Sequence, residues 1–218
     1  MFRGVLFFEI SYQLRRASTW IYFVVIFALL HLVLNEMVEY AVNVEQVLIN
    51  SPITISEVAT FASKFSLLMI AALVADGAMR DTQMRMDQLI YATPVSKISY
   101  LGGRLFGTLF VATALILLIL LLGVMSVNMV MATDPTVLGP LHIAALVRAS
   151  VLLVFPNVII ATLFLYGITW LTRYSIAAYA GALTIFILST FGMDVLAGKW
   201  HLAKLLDPFA GTIVDTFS

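Results

Sequence analysis

From Ala112 to Leu122 the chain reads Ala-Thr-Ala-Leu-Ile-Leu-Leu-Ile-Leu-Leu-Leu, inside a stretch from Tyr100 to Val130 whose single charged residue is Arg104. A run of this length and apolarity dissolves in hydrocarbon, where no water satisfies the backbone, so it must form a helix that bonds to itself. A bilayer core takes roughly 20 such residues per helix. Four further stretches fit that requirement: about 20–38, 53–75, 143–171 and 174–196. The period-2 alternation of a membrane β-barrel is absent. The expected fold is therefore all-α, a polytopic membrane bundle of about five transmembrane helices. The balance of residue types agrees: 62% are hydrophobic and 11% charged, against about 25% charged in an ordinary soluble domain. Twelve basic and twelve acidic residues leave no net charge, and the mean hydropathy is +1.04. These values disfavour a soluble enzyme, a basic nucleic-acid binder and a disordered scaffold. With no cysteine there is no disulfide, thiolate metal site or cysteine nucleophile.

Basic residues orient the spans. Arg3, Arg15, Arg16, Arg80, Arg85, Lys97, Arg104 and Arg173 fall on one side, against Arg148, Lys199 and Lys204 on the other. The side with more basic residues, and the N-terminus with it, is expected in the cytoplasm. Residues 1–18 are too polar to span. Phe2, Val5, Leu6, Glu9 and Tyr12 share a helical stripe, with Arg3, Gln13 and Arg16 off it. This predicts a short interfacial helix, the alternative being a cytoplasmic tail. The first span has no small-residue cleavage site after it, so an uncleaved anchor is expected rather than a signal peptide. The link between spans four and five is only about Thr172 to Tyr174, which predicts a tight antiparallel hairpin. Residues 197–218 are expected to be an outer segment, amphipathic over Ala197 to Gly211.

Signals for chemistry are sparse. There is no G-x-x-x-x-G-K-[ST], H-E-x-x-H or G-x-S-x-G, so neither a nucleotide-binding, a zinc nor a hydrolase site is expected. His31, His142 and His201 are far apart in sequence and read as packing or interfacial residues. No cofactor, metal or catalytic residue is expected, and no nucleic-acid partner. Within span two, Glu57, Thr60 and Lys64 recur on one helical face. A midspan charge is costly, so this stripe either faces a partner helix or wet cavity, or Lys64 snorkels outward. Gly103-x-x-x-Gly107 permits close helix approach, a weak signal at a common spacing.

The most informative segment is the loop 78–99. Arg80 to Tyr91 can form a helix carrying Arg80, Asp81, Arg85 and Asp87, with apolar contacts from Met84, Leu89, Ile90 and Tyr91. Pro94 ends it, because the residue before proline avoids the helical region. Composition alone leaves two readings equal: a solvated loop, or a short rigid helix that docks on a partner and transmits force.

The segment Arg80-Asp81, Asp87, Leu89-Ile-Tyr-Ala-Thr-Pro-Val-Ser96 and Tyr100-Leu-Gly-Gly-Arg104 resembles the corresponding loop of ABC-2 type exporter permeases. The helix with Glu9 and Arg15-Arg16 resembles that family's interfacial connecting helix, and Leu206-Asp-Pro-Phe209 its outer segment. The chain is most similar to the membrane portion of bacterial permeases fused to an M1-type aminopeptidase. The resemblance implies a single transmembrane domain in the bacterial cytoplasmic membrane, a second permease subunit as partner, and a separate cytoplasmic ATPase that supplies ATP-driven work. It implies that Arg80, Asp81, Met84, Arg85, Asp87, Leu89, Tyr91 and Pro94 form the ATPase-docking element. The family has six spans, so a chain of five is expected either to be incomplete at its C-terminus or to receive a sixth helix from elsewhere. The competing expectation is a non-transporting anchor for a peptidase or other partner.

Overall fold

The computed structural model describes residues 2–40, 48–84, 96–130 and 139–195. The elements in chain order are α1 (Phe2–Arg15), α2 (Ala17–Tyr40), α3 (Pro52–Phe65), α4 (Leu67–Gln83), α5 (Lys97–Val130), α6 (Ile143–Ala149), a π-helical turn (Ser150–Val154), α7 (Phe155–Thr172) and α8 (Ile176–Val195). No strand occurs among the described residues. Four segments are long and apolar enough to cross a membrane: Ala17–Glu36, Pro52–Gln83, Lys97–Met129 and Ile143–Thr172. The expectation of five holds for these four. In α8 the described apolar stretch, Ile176–Thr190, is shorter than a span.

The segment Pro52–Gln83 is the hub. In its apolar window 78% of residues are buried, against 28–44% in the other three spans, so the rest of the bundle wraps around it. Its start is set locally. Ser51 Oγ accepts the Thr54 N–H at 3.2 Å, and Pro52 occupies the first turn, where no ladder donor is required. At Ser66 α3 passes into α4 with its ladder kept: the Ser66 N–H reaches the Ala62 carbonyl at 3.0 Å, and the Ile70 N–H reaches Ser66 O at 2.9 Å. Ser56, Thr60, Ser63 and Ser66 each donate to the carbonyl four residues back. This is how a helix with so many hydroxyls remains compatible with an apolar surrounding. Leu67, Met69 and Ile70 of α4 pack fully buried with Leu30 and Leu34 of α2, Ile116, Ile119 and Leu120 of α5, and Leu165 of α7.

The π turn has a local cause. Pro156 has no N–H for the Leu152 carbonyl, and its ring would crowd that carbonyl in a regular helix. The ladder widens instead, and the Phe155 N–H bonds Ser150 O, five residues back. The expected hairpin between spans four and five is present. Its corner is Arg173, in the left-handed region at φ 59°, ψ 23°, with its N–H on Thr169 O at 3.0 Å. Gln83 Nε2 donates to Ser175 Oγ at 3.3 Å and fastens the end of α4 to that corner.

Two expectations are corrected. The helix expected to begin at Arg80 does not start there: Arg80 to Gln83 are the last turn of α4, which is capped at Met84. Residues 85–95, and with them Arg85, Asp87, Leu89, Tyr91 and Pro94, lie outside the described residues, as do residues 196–218. In α1 the buried residues are Glu9 and Gln13, while Phe7 and Phe8 are exposed. The expected stripe is the face that packs on α5, with Val5 and Leu6 at Gly103, Glu9 at Gly107 and Phe2 against Phe106, and the correction is Gln13, which was expected off the stripe and is buried beside Glu9.

Candidate functional site

α1 is seated on the first third of α5 at near-backbone distance. A Cβ added at Gly103 would stand 2.9 Å from Val5 Cβ, and one at Gly107 would stand 2.8 Å from Glu9 Cβ. Both are closer than carbon atoms pack, so only glycine lets α1 approach this far. On the opposite wall, a Cβ at Gly77 of α4 would meet Thr108 Oγ1 at 2.7 Å and lie 3.5 Å from Glu9 Oε1. Three glycines thus open the space into which α1 inserts the Glu9 carboxylate.

An unpaired carboxylate there would be prohibitively costly. Glu9 is fully buried, and Arg80 Nη2 meets its Oε2 at 2.6 Å. Gln13 Nε2, one turn along α1, donates to Glu9 Oε1 at 2.8 Å and to Thr108 Oγ1 at 2.9 Å. Arg104 Nε lies 3.8 Å from Glu9 Oε2. Arg104 also donates from Nη2 to Asp81 Oδ1 at 2.7 Å and from Nη1 to the Gly77 carbonyl at 3.0 Å. The Tyr100 hydroxyl donates to the other oxygen of Asp81. On the far side, Arg80 Nη1 is 3.6 Å from Asp76 Oδ2, and Arg16 closes on Asp76 Oδ1. The order in space is Arg16, Asp76, Arg80, Glu9, Arg104, Asp81. Charge alternates at every step, and the three acids balance the three bases.

Aromatic rings flank the cations. Arg80 Cζ is 3.9 Å from the centre of the Tyr12 ring, and Arg104 Cζ is 5.0 Å from that of Tyr100. Both contacts favour the charged guanidinium. The hydrogen bond to Asp76 raises Arg16 above its ordinary pKa, outweighing the effect of partial burial. Arginine does not give up its proton at any accessible pH, so the chain of charges is a fixed joint rather than a proton path. It welds three elements: α1, the last two turns of α4 and the first two turns of α5. A polar cavity of about 150 Å³ borders it, lined by Gln13, Arg16, Tyr22, Asp76, Gln83 and Tyr179 among others. Gln13 Oε1 and Asp76 Oδ2 have no hydrogen-bond partner among the described residues. Both line that cavity, which is roomy enough for water to reach them.

Of the residues expected to dock on a partner, Arg80 and Asp81 turn inward. Arg80 is 5% exposed and held by Glu9, and Asp81 is held by Arg104 and Tyr100. Met84, at the cap of α4, is exposed. The stripe of Glu57, Thr60 and Lys64 belongs to α3, away from this joint. Thr60 is buried and bonds to Ser56 O at 2.9 Å, Glu57 and Lys64 are half-buried, and Lys64 Nζ stands 5.8 Å over the Phe61 ring. His31 bonds to Ser126 and Asn35, as suits a packing residue.

Sequence reasoning missed Glu9, Gln13, Asp76, Tyr100, Arg104 and Thr108 as members of one site. Two signals were available. Asp76 and Arg80 are one turn apart on a helix, and the Gly103-x-x-x-Gly107 pair marked a close approach without naming what approaches. No group of acids and histidines suited to a metal ion occurs among the described residues. No protein family, curated protein or solved structure matches the chain.

Proposed function

We propose that the chain is the membrane subunit of an ABC-2 type exporter, moved by a separate ATPase that contacts the segment between α4 and α5. One observation carries the reading. The two helices that flank this segment are locked to each other by Arg104 with Asp81, and to α1 by Glu9 with Arg80. Force applied to residues 85–95 would then displace α4, α5 and α1 as one body. α4 continues through Ser66 into α3, the other half of the hub, so the displacement reaches the middle of the bundle. A solvated linker would have no use for a buried joint at its two ends.

In this reading the joint lies at the cytoplasmic side of a bacterial inner membrane, as the surplus of basic residues favours. α1 lies at the interface, α8 completes a fifth span, and a second permease subunit pairs with the bundle. The inward turn of Arg80 and Asp81 reassigns their part in coupling. They hold the lever at its root, and Met84, Arg85, Asp87, Leu89 and Tyr91 are left to make the contact. The chain has no nucleotide-binding motif, so ATP acts only through the partner.

The test is capture of an ABC ATPase encoded beside this chain, in detergent, with Leu89→Ala plus Tyr91→Ala. Apolar anchors dominate small interfaces, and losing one costs about 2 kcal/mol or more. Capture should weaken and ATP hydrolysis should uncouple from transport, with membrane insertion intact. Undiminished capture returns the segment to a solvated linker.

A further inference from the structure

At the end of the bundle away from the Glu9 joint, α3, α6 and the π turn enclose a groove of about 350 Å³. Arg148, His142 and Ser56 supply its polar groups, and Ala145, Leu152 and Leu153 much of its apolar wall. No carboxylate lines it among the described residues. Glu57, next to Ser56 on α3, is not among the lining residues. Arg148 is exposed and makes no hydrogen bond, ion pair or ring contact among the described residues. This contrasts with Arg16, Arg80 and Arg104, each of which has a carboxylate.

The position of Arg148 gives the contrast meaning. It is five residues past Ile143, where the membrane-crossing segment Ile143–Thr172 begins, so at 1.5 Å per residue it lies about 7–8 Å along that segment. That depth is where lipid phosphates give way to acyl chains. The π turn follows directly and carries Leu152 and Leu153 into the groove. Leu152 is 68% exposed and Val151 57%, so the apolar wall runs on into a lipid-facing surface.

We propose that this groove binds an anionic phospholipid, with its phosphodiester on Arg148 beside His142 and one acyl chain over Leu152 and Leu153. A cation with no carboxylate beside it among the described residues of the groove selects an anion, as basic pockets between membrane helices do for acidic headgroups. The continuous apolar wall selects a lipid over a soluble phosphate, which would leave Leu152 uncovered. The proposal stands apart from the ATPase reading, since it involves neither α1 nor residues 85–95.

The full chain, in bilayers of phosphatidylcholine with a minor fraction of phosphatidylglycerol, is labelled with either lipid carrying a photoactivatable acyl chain, and the labelled peptides are mapped. Phosphatidylglycerol should label residues 142–153 about fivefold more than phosphatidylcholine does, the ratio expected for one added cation contact. Arg148→Gln should bring the two lipids level, and Arg148→Lys should keep the preference. Ala145→Trp, which fills the groove and leaves the charge, should lower labelling by both. Equal labelling of the unaltered chain by the two lipids overturns the proposal without recourse to any variant. So does a preference that survives Arg148→Gln, and so does displacement of the label by glycerol phosphate, which would make this a site for soluble anions.

Discussion

Arg80 Nη2 and Glu9 Oε2 lie 2.6 Å apart, joining residues separated by 71 positions in sequence, with the carboxylate fully buried and the guanidinium 5% exposed. A pair so removed from solvent is stabilising only while both members are present. Each charge alone would be left in a medium that cannot solvate it.

Single changes at this pair should therefore be severe. Glu9→Leu or Arg80→Met is expected to destabilise the protein by about 3–5 kcal/mol, measured as thermal unfolding in detergent. The double variant should recover part of the sum, because it removes both buried charges together. Additive effects would show that the two residues do not act as a pair. Arg16→Ala is the contrast: Arg16 is 43% exposed on its side chain, and an exposed ion pair contributes about 0–1 kcal/mol.

The approach of α1 depends on glycine, so Gly107→Leu should unseat it. The new side chain would occupy the place of Glu9 Cβ, 2.8 Å from the Cβ position. Overpacking of this kind costs about 1–3 kcal/mol. Limited proteolysis should then cut within residues 1–16 while the rest of the bundle stays protected. Gly102→Ala is the control, since its added carbon meets Phe2 at an ordinary 3.5 Å. Equal protection of the N-terminus in both variants would mean that α1 is held by something other than this contact.

Topology is open to direct labelling. A reporter inserted after Lys97 should read as cytoplasmic and one beside Glu45 as external, from the asymmetry of basic residues. Reversed labelling would place the Glu9 joint outside the cell and end the proposal that an ATPase acts on it.

If a second permease subunit pairs with the bundle as proposed, Lys64→Met should leave membrane insertion unchanged and alter that association. A half-buried ammonium within a membrane-crossing segment is costly unless something meets it, and the Phe61 ring covers one side only. Association is read by cross-linking in the membrane. Wild-type association would assign Lys64 to outward snorkelling instead.

The limits of the first four spans were legible in the sequence to within a few residues, apart from the end of the second. The hairpin at Arg173 was legible as well. Both follow from local physics: the length that hydrocarbon imposes on a helix, and the short polar link that turns the chain. The second span was read as ending near Ala75, because Asp76, Arg80 and Asp81 looked like the start of a water-exposed loop. In the structure α4 runs on to Gln83, since each of these charges meets a partner from another element. Partnering across Glu9 to Arg80 and Arg104 to Asp81 is a property of three helices at once, and hydropathy summed along one segment carries no trace of it.

The same reason explains α1. Taken alone, its sequence puts Glu9 on a stripe with Phe2, Val5, Leu6 and Tyr12 and leaves Gln13 off it, with no sign of what meets the carboxylate. Sequence by itself determined that this chain is a bundle of apolar helices with its charge gathered at helix ends. Only the tertiary structure decided that Glu9 is fully buried between α4 and α5 and paired with Arg80, because the free energy of burying a carboxylate is set by the guanidinium that waits for it and by the glycines that leave it room. Neither is a neighbour in the chain.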